Sequence, residues 1–521
     1  MPFPRLVNRY PWVTSLALVA TFLGGGAAAS AVGASPNIRI DPPSVGPADL
    51  RAVVADARVR RFYEARQWLP AWTDEQARAL SAALSEADRH ALDGRRIWEK
   101  VTETASPAQR DAALTGAALT YAGLLANGAV DPHSIWKLYT LPQNRVDVVA
   151  GLLQALAQNS VRDWLAALPP QDAEYQALGK AYLEARESAA AERATRIPLG
   201  RSIRQGDRDP RVPAIANSLR RSGYLPARAE NEQAPPQQDQ LLFTRELAAA
   251  IAQLQADQGL EPEAVVGEHT IEALNLDSRE RMRILAINLE RRRWLERQVA
   301  PTRIDVNIAA TILDYWRNRE QVLRTRVVAG QPGWKTPQLG ATLRRLIANP
   351  PWRVPGSIAR KEILPKGAAY MRRNHMSYRN GRIIQAPGPR SALGLIKFDL
   401  DDPYAIYLHD TPAKALFAKA ERHASHGCVR VQDALAFARL IADHQGIRDA
   451  LERALASGRE QVVGLTNVIP VRLLYHTVYL EGDHLVFRHD DYGLDEQVGA
   501  ALGLPPSARS MLRRYPTDIG P

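Results

Sequence analysis

Apolar residues in the first part of the chain recur every three or four positions, which is the spacing of amphipathic helices. The clearest runs are AALTGAALTYAGLLANG at 112–128 and VDVVAGLLQALAQ at 146–158. No cluster of catalytic residue types occurs in this part. The pattern predicts a helical domain over residues 45–205.

A second helical unit is predicted over residues 207–276. Its amphipathic stretches PAIANSLRRSGYL and FTRELAAAIAQLQADQGL end at Gly223 and Gly259, and glycine commonly terminates helices. The polar segment 227–240, rich in proline and glutamine, predicts an exposed insertion between the two helices. The stretch VVGEHTIEALN at 265–275 completes the unit.

From Arg303 onward the apolar period shortens to two. The segment RIDVNIAATILDYWRNREQVLRTRVVAG alternates around a polar turn, which predicts a β-hairpin, and the sequence EGD at 481–483 predicts another. A single helix is predicted at 431–446. The fold class is therefore multidomain α and β, with a mainly β domain at 300–495 that packs one helix, and a C-terminal tail at 496–521.

The N-terminus has the three-part pattern of an export signal. Arg5 and Arg9 precede an apolar stretch at 11–23, and a tail of small residues follows, with an A-x-A site at 29–31. We predict that residues 1–34 are a secretory signal peptide, with an uncleaved membrane anchor as the alternative.

The chain is basic, with 67 lysines and arginines against 56 acidic residues and a net charge of +11. An exported protein rarely meets nucleic acid, so we expect no nucleic-acid partner. The charge instead favours anionic surfaces, either membrane lipids or the carboxylate-rich peptides of a bacterial wall.

Cys428 is the only cysteine among 521 residues, which excludes a disulfide within the chain. Three histidines lie within the 19 residues upstream: His409 ends a predicted strand, and His423 and His426 lie in the loop that follows. We place Cys428 just before the predicted helix, where the positive end of the helix dipole would favour the thiolate.

The sequence leaves three other interpretations of this cysteine. The three histidines and Cys428 would form a zinc site only if they converged tetrahedrally. A phosphatase-type cysteine needs an anion-binding loop between the cysteine and the arginine, and one residue is too few. A buried structural cysteine is the remaining alternative.

The segment HDTPAKALFAKAERHASHGCVRV resembles the catalytic motif of YkuD-type L,D-transpeptidases, a strand-closing histidine followed by a variable loop and Ser-His-Gly-Cys-x-Arg or Asn. The separation of 19 positions between His409 and Cys428 suits that family. The stretch VVAGQPGWKTPQL resembles the family's glycine and Thr-Pro segment. NPPWRVPGSIARKEILPK, PGPRSALGLIKF and IYLHDTP look like the large periplasmic subfamily, which also carries a helical scaffold domain and a peptidoglycan-binding domain.

The unit at 207–276 resembles the small three-helix peptidoglycan-binding domain, and a generic helical linker is the alternative. The resemblance implies that 45–205 is the scaffold domain and 300–495 the catalytic domain. Residues 352–392 form a long basic stretch rich in Pro, Gly and Asn, with few strand-like alternations. We expect a mobile capping loop there, because loops of this length in compact domains are usually functional or disordered.

The resemblance also implies residue roles. Cys428 matches the nucleophile, His409 the proton donor and acceptor, and Gly427 with the Cys428 amide an oxyanion-stabilising turn. Ser425 and His426 match supporting positions.

Three residues are expected to bind substrate: Arg430, Tyr407 and Asp410. Arg430 suits a bidentate contact with a carboxylate. Asp410 is also a candidate acceptor that orients His409, although a backbone carbonyl would do the same.

The function implied is a peptidoglycan L,D-transpeptidase that joins diamino acids of two tetrapeptide stems through a cysteine thioester, with no metal or organic cofactor. The alternatives are L,D-carboxypeptidase or D-amino-acid exchange activity at the same bond, or a non-catalytic peptidoglycan-binding scaffold. The expected location is the periplasm, with anchoring to the inner membrane if the N-terminus is retained. Carbapenems are expected to acylate the cysteine.

Overall fold

The computed structural model describes residues 45–191, 196–226 and 240–507. The predicted signal peptide or anchor at 1–34 lies outside the described residues, as do most of the polar insertion and the chain beyond residue 507. Within the described ranges, helices precede residue 295 and strands dominate after it, which confirms the predicted fold class.

The first part of the chain is a bundle of helices, as predicted. They are Pro47–Val53, Ala57–Ala65, Asp74–Ser85, Gly94–Thr102, Pro107–Asn127, Pro132–Ile135, Val148–Ala157, Val161–Ala167 and Ala173–Ala191. The longest begins after Ser106, whose hydroxyl accepts from the Gln109 amide while the Gln109 side chain caps Ser106 in return. Its buried leucines, including Leu114 and Leu119, form the centre of the bundle core.

In the described residues of the second unit, the helices are Val212–Arg221, Arg245–Asp257 and Glu268–Leu274. They enclose a small core that includes Ile215, Phe243 and Ile251. Gly223 and Gly259 follow two of these helices with positive φ angles of 79° and 67°, which suit glycine. The identity of this unit as a peptidoglycan-binding domain and its wall-binding role remain predictions.

Helix Ser278–Trp294 connects the helical part to the β domain. The buried Glu290 carboxylate accepts hydrogen bonds from the amides of Ala129 and Val130 at 2.6 and 2.8 Å, just after the longest helix of the bundle. On the same connecting helix, Arg291 pairs with Asp495 at the end of the β domain. These buried contacts tie the two regions together.

In the described part of the chain the main sheet has nine strands: β1 Arg303–Asn307, β2 Ile312–Arg317, β3 Glu320–Gly330, β4 Leu339–Ala348, β8 Ile396–Leu400, β9 Leu408–His409, β10 His423–Ser425, β11 Val429–Val431 and β12 Gln461–Leu474. Their order in the sheet is β10-β3-β11-β9-β8-β4-β12-β1-β2, and β2 also pairs with β3. Because β2 and β3 pair, the sheet closes on itself. A separate hairpin, β13 Val478–Glu481 with β14 His484–Phe487, contains the predicted EGD turn.

Helix Ala434–Gln445 packs on the apolar face of this sheet, where the Phe437 and Phe398 rings stack 5.1 Å apart. The helix begins three residues later than predicted because residues 429–431 form β11 in the centre of the sheet. A second helix, Arg448–Ala456, follows it and was not predicted.

The expected loop at 352–392 is instead a folded subdomain. It contains a three-stranded sheet of β5 Trp352–Arg353, β6 Met376–Arg379 and β7 Arg382–Gln385, together with short helical turns and helix Gly367–Arg373. Trp352, Ile363 and Ile383 are buried in its own core. The prediction of a mobile loop is therefore wrong. A few well-spaced apolar residues give this stretch a core of its own. We call it the cap subdomain.

Helix Leu494–Ala501 crosses the boundary that we placed at residue 496. Glu496 on this helix pairs with Arg283 of the connecting helix at 2.8 Å, so the expected tail begins inside the folded domain. Among the described residues, no helix is long and apolar enough to cross a membrane.

Candidate active site

Two neighbouring parallel strands, β9 and β11, contain His409 and Arg430, and Tyr407 and Cys428 directly precede them. Arg430 lies opposite His409 in their register, and the Val429 amide donates to the Tyr407 carbonyl at 3.1 Å. Leu408 and Val429 point into the apolar core. Since side chains alternate along a strand, Tyr407, His409, Cys428 and Arg430 share the opposite face.

His409 is completely buried and held in one orientation. Its Nδ1–H donates to the backbone carbonyl of Asp410 at 2.5 Å, so Nε2 carries the lone pair in the neutral ring. Nε2 has no hydrogen-bond partner among the described residues. Burial and the Arg430 charge lower the pKa of His409 to about 3. The imidazole is therefore a neutral base with an unoccupied acceptor nitrogen.

The orienting contact comes from the Asp410 backbone and not from its carboxylate. The carboxylate accepts from the Leu395 amide at 3.0 Å and pairs with Lys414. A Cβ at Gly394, which has a φ of 60°, would lie 2.2 Å from the Asp410 carboxylate, so only glycine leaves room for it. The Asp410 carbonyl, and not the Asp410 carboxylate, therefore orients the His409 ring.

Cys428 is partly buried, and it does not lie at the start of a helix as predicted. Burial raises the pKa of the thiol to about 11, although its interactions with Tyr407 lower it. The expected stabilisation by a helix dipole is wrong, because strand β11 separates Cys428 from the helix that begins at Ala434. The resting pair is a thiol and a neutral imidazole.

The turn before Cys428 is fixed by hydrogen bonds. The Ser425 hydroxyl donates to the Cys428 carbonyl at 2.5 Å and accepts from the Gly427 amide at 3.1 Å. Gly427 has a φ of 114°, a conformation that other residues rarely adopt. Since the Gly427 amide is used by Ser425, the Cys428 amide is the donor of this turn that is left for an oxyanion.

His426 contacts the cap subdomain. Its Nε2 lies 2.6 Å from the Glu362 carboxylate, and its ring meets the Trp334 ring edge to face at 5.2 Å. His426 therefore connects the turn at 425–428 to two other segments.

Comparison with known proteins identifies the two larger regions. Residues 301–469 match the model of the L,D-transpeptidase catalytic domain, YkuD, and residues 57–181 match the model of the scaffold domain. Residues 301–469 are a YkuD L,D-transpeptidase catalytic domain. The site described above lies within it.

A Haemophilus influenzae protein, provisionally named an L,D-transpeptidase, is 31% identical over 223 residues. The match covers 38% of this chain and 45% of that protein, so it spans less than half of the relative's length.

Two solved structures were also matched. One is described as the Ldtfm–avibactam carbamoyl enzyme (14% identity, TM-score 0.20, covering 35% of this chain and 51% of that one). The other is the L,D-transpeptidase from Xylanimonas cellulosilytica (15% identity, TM-score 0.15, covering 53% and 98%). At these TM-scores neither carries an argument about the fold.

Thr336 of the L,D-transpeptidase domain is a structural residue of the site whose role the sequence did not reveal. Its hydroxyl donates to the Gly427 carbonyl at 2.8 Å and accepts from the Gly330 amide at 2.9 Å. A Cβ at Gly330 would lie 2.0 Å from the Trp334 carbonyl, so this close approach requires glycine. Through these hydrogen bonds, the GQPGWKTP segment supports the turn at 425–428.

Arg430 is 1% exposed and lies between His409 and Val328 in the sheet. It contributes a positive charge beside His409, whereas the contact with a substrate carboxylate remains a prediction. Tyr407 packs edge to face on His409 at 5.5 Å, next to Cys428.

The four residues considered for a zinc site have separate partners. His423 Nδ1 lies 2.6 Å from Glu421 and 3.4 Å from Asp491, while its Nε2 donates to the Ile308 carbonyl. This cluster of Glu421, His423 and Asp491 is the one group in the described ranges whose ligand atoms converge enough for a metal ion, and it includes neither His409 nor Cys428.

Proposed function

We propose that this protein is an exported peptidoglycan L,D-transpeptidase that uses Cys428 as its nucleophile and His409 as its base. The observation that carries the proposal is the pairing of β9 with β11: a buried imidazole with an unoccupied Nε2 lies opposite Arg430, and the sole thiol of the chain lies two residues before that arginine. A neutral pair of this kind suits general-base activation of the thiol.

The first half-reaction forms a thioester. The Cys428 proton passes to His409 Nε2 as the sulfur attacks the carbonyl between an L-centre of a diamino acid and the terminal D-alanine of a tetrapeptide stem. The oxyanion accepts a hydrogen bond from the Cys428 amide. His409 then returns the proton to the departing D-alanine nitrogen, and the acyl group stays on sulfur.

The second half-reaction transfers the acyl group. The side-chain amine of a second stem loses a proton to His409 and attacks the thioester, and the Cys428 thiol is restored with that proton. The product is a cross-link between two diamino acids. Water or a free D-amino acid in place of the amine would give a tripeptide or an exchanged tetrapeptide.

The remaining regions fit a wall enzyme. We propose that the three-helix unit at 207–276 binds peptidoglycan and that the cap subdomain positions the donor stem. We also propose a periplasmic location, with export directed by residues 1–34 and anchoring to the inner membrane if they are retained. The net charge of +11 suits the anionic wall.

The test is incubation of the purified protein with a disaccharide-tetrapeptide, followed by mass analysis of the products. We expect a cross-linked dimer and free D-alanine. Tripeptide without dimer would indicate a carboxypeptidase. No product from a folded protein, with wall sedimentation intact, would indicate a non-catalytic scaffold.

A further inference from the structure

Lys397 lies on the third strand of the face that carries the proposed nucleophile and base. Strand β8 pairs with β9, and Lys397 is directly opposite His409 in that register. Opposite residues on paired strands point to the same side of a sheet. Lys397, His409 and Arg430 therefore form a row across three adjacent strands, and Tyr407 and Cys428 lie beside that row.

The Lys397 ammonium is held in place by two contacts. Its Nζ lies 4.4 Å from the centre of the Tyr407 ring and 2.7 Å from the Asp399 carboxylate. Cations over aromatic faces are attracted by the ring, and the side chain is only 20% exposed, so solvent screens the charge weakly. The same Tyr407 also interacts with the Cys428 thiol.

This arrangement places a fixed positive charge where the reaction develops a negative one. Proton transfer to His409 leaves a thiolate in a partly buried position, which is costly without a nearby cation. The charged groups that act on Cys428 are Lys397, which favours its ionised form, and Asp402, which opposes it. His409 is acted on by Arg430, Lys397 and Lys414, all of which keep it neutral.

We propose that Lys397 is a positioning residue for the nucleophile: held by Tyr407 and Asp399, its charge stabilises the developing Cys428 thiolate. This role of Lys397 rests on the proposed function in one respect, the identity of Cys428 as the nucleophile. Neither the motif around Cys428 nor the resemblance assigns this role to Lys397.

Because Cys428 is the only cysteine, iodoacetamide reports on its thiolate without interference. The full chain is alkylated across a range of pH, as wild type, Lys397→Met and Lys397→Arg. We expect Lys397→Met to react about tenfold more slowly at pH 8, which corresponds to a thiol pKa raised by roughly one unit. Lys397→Arg should retain most of the rate.

Arg344→Gln is the matched control, since it removes an equal charge from an exposed ion pair with Asp401. It should alkylate like wild type. An unchanged profile in a folded Lys397→Met protein would overturn the proposal, as would Lys397→Arg reacting as slowly as Lys397→Met, because the residue would then act through packing. A wild-type chain that follows the predicted alkylation pattern but makes no cross-links would overturn the proposed function alone.

Discussion

Arg430 and His409 face each other on neighbouring parallel strands, and the arginine charge adds to burial in keeping the histidine neutral. In the free enzyme, the proposed base is thus ready to accept a proton throughout the neutral range. The thiol, whose pKa burial raises to about 11, is ready to supply one. At rest, Cys428 is therefore a neutral thiol and His409 a neutral imidazole. The thiolate and the imidazolium form only when the substrate is attacked.

The first prediction concerns the thiol in the absence of substrate. Alkylation of Cys428 should keep rising by about tenfold per pH unit up to roughly pH 10, because the thiolate fraction grows until the pH reaches the pKa of about 11. The same chain unfolded in urea is the control and should level off near the ordinary thiol pKa of about 8.5. A plateau near pH 7 in the folded protein would instead indicate a preformed thiolate–imidazolium pair.

The second prediction concerns the base. Acylation by a tetrapeptide donor should lose no rate through His409 between about pH 7 and pH 5, because a group whose pKa is about 3 stays unprotonated there. His409→Gln should lower the rate by about 10²–10⁴-fold, the usual contribution of a general base. Stopped-flow acylation over this range measures both effects, and an acid limb centred near pH 6.5 would contradict the assigned state of His409.

The hydrophobic pattern of the sequence predicts local features of the site but not the pairing register of its strands. The strand that ends at His409 and the turn at 481–483 depend on local residues, and the structure contains both. The opposition of His409 to Lys397 and Arg430 depends on pairing between distant segments, which alternation alone does not specify.

Two local expectations failed for related reasons. The helix was placed too close to Cys428 because the three residues of β11 are too few to show a period of two. The sequence of the cap subdomain predicts a loop because its strands are only two to four residues long and are separated by short helical segments and a turn. In both cases the short strands are stabilised by tertiary contacts, which a short stretch of sequence does not reveal.

The third prediction concerns the turn. Gly427→Ala should lower cross-linking by about 10- to 100-fold, because alanine at a φ of 114° costs about 1–3 kcal/mol and would shift the Cys428 amide. Gly446→Ala is the control: it lies at a helix end with a φ of 69°, and no atom of another segment lies near its Cβ position. That variant should lose some stability in thermal unfolding but keep its activity. Equal activity losses in the two variants would argue against a special role for the turn.

The fourth prediction tests the support beneath the turn. Thr336→Val removes the hydroxyl that bridges Gly330 and Gly427, leaving buried polar groups unpaired at a cost of about 1–3 kcal/mol. We expect a lower kcat and faster amide exchange at residues 425–428, and Thr336→Ser should restore both. Activity in Thr336→Val equal to wild type would show that the bridge does not hold the turn in its reactive shape.

The fifth prediction concerns the cap subdomain. Glu362, which contacts His426 at 2.6 Å, joins this subdomain to the nucleophile turn. Acylation of Cys428 by a carbapenem should slow hydrogen exchange over residues 352–392, and Glu362→Gln should weaken that protection. Arg353→Gln, which breaks an exposed ion pair with Glu460 at the edge of the same subdomain, is the control. Identical exchange with and without the carbapenem would contradict a capping role.

The central claim is that Cys428 carries the acyl group. Its most direct test is the intact mass of the protein, quenched in acid during turnover of a disaccharide-tetrapeptide and then digested. We predict an adduct equal to the donor without its terminal D-alanine, located on Cys428, removed by hydroxylamine as a thioester is, and missing from Cys428→Ala. An adduct that persists in Cys428→Ala, or cross-linking by that variant, would contradict the account.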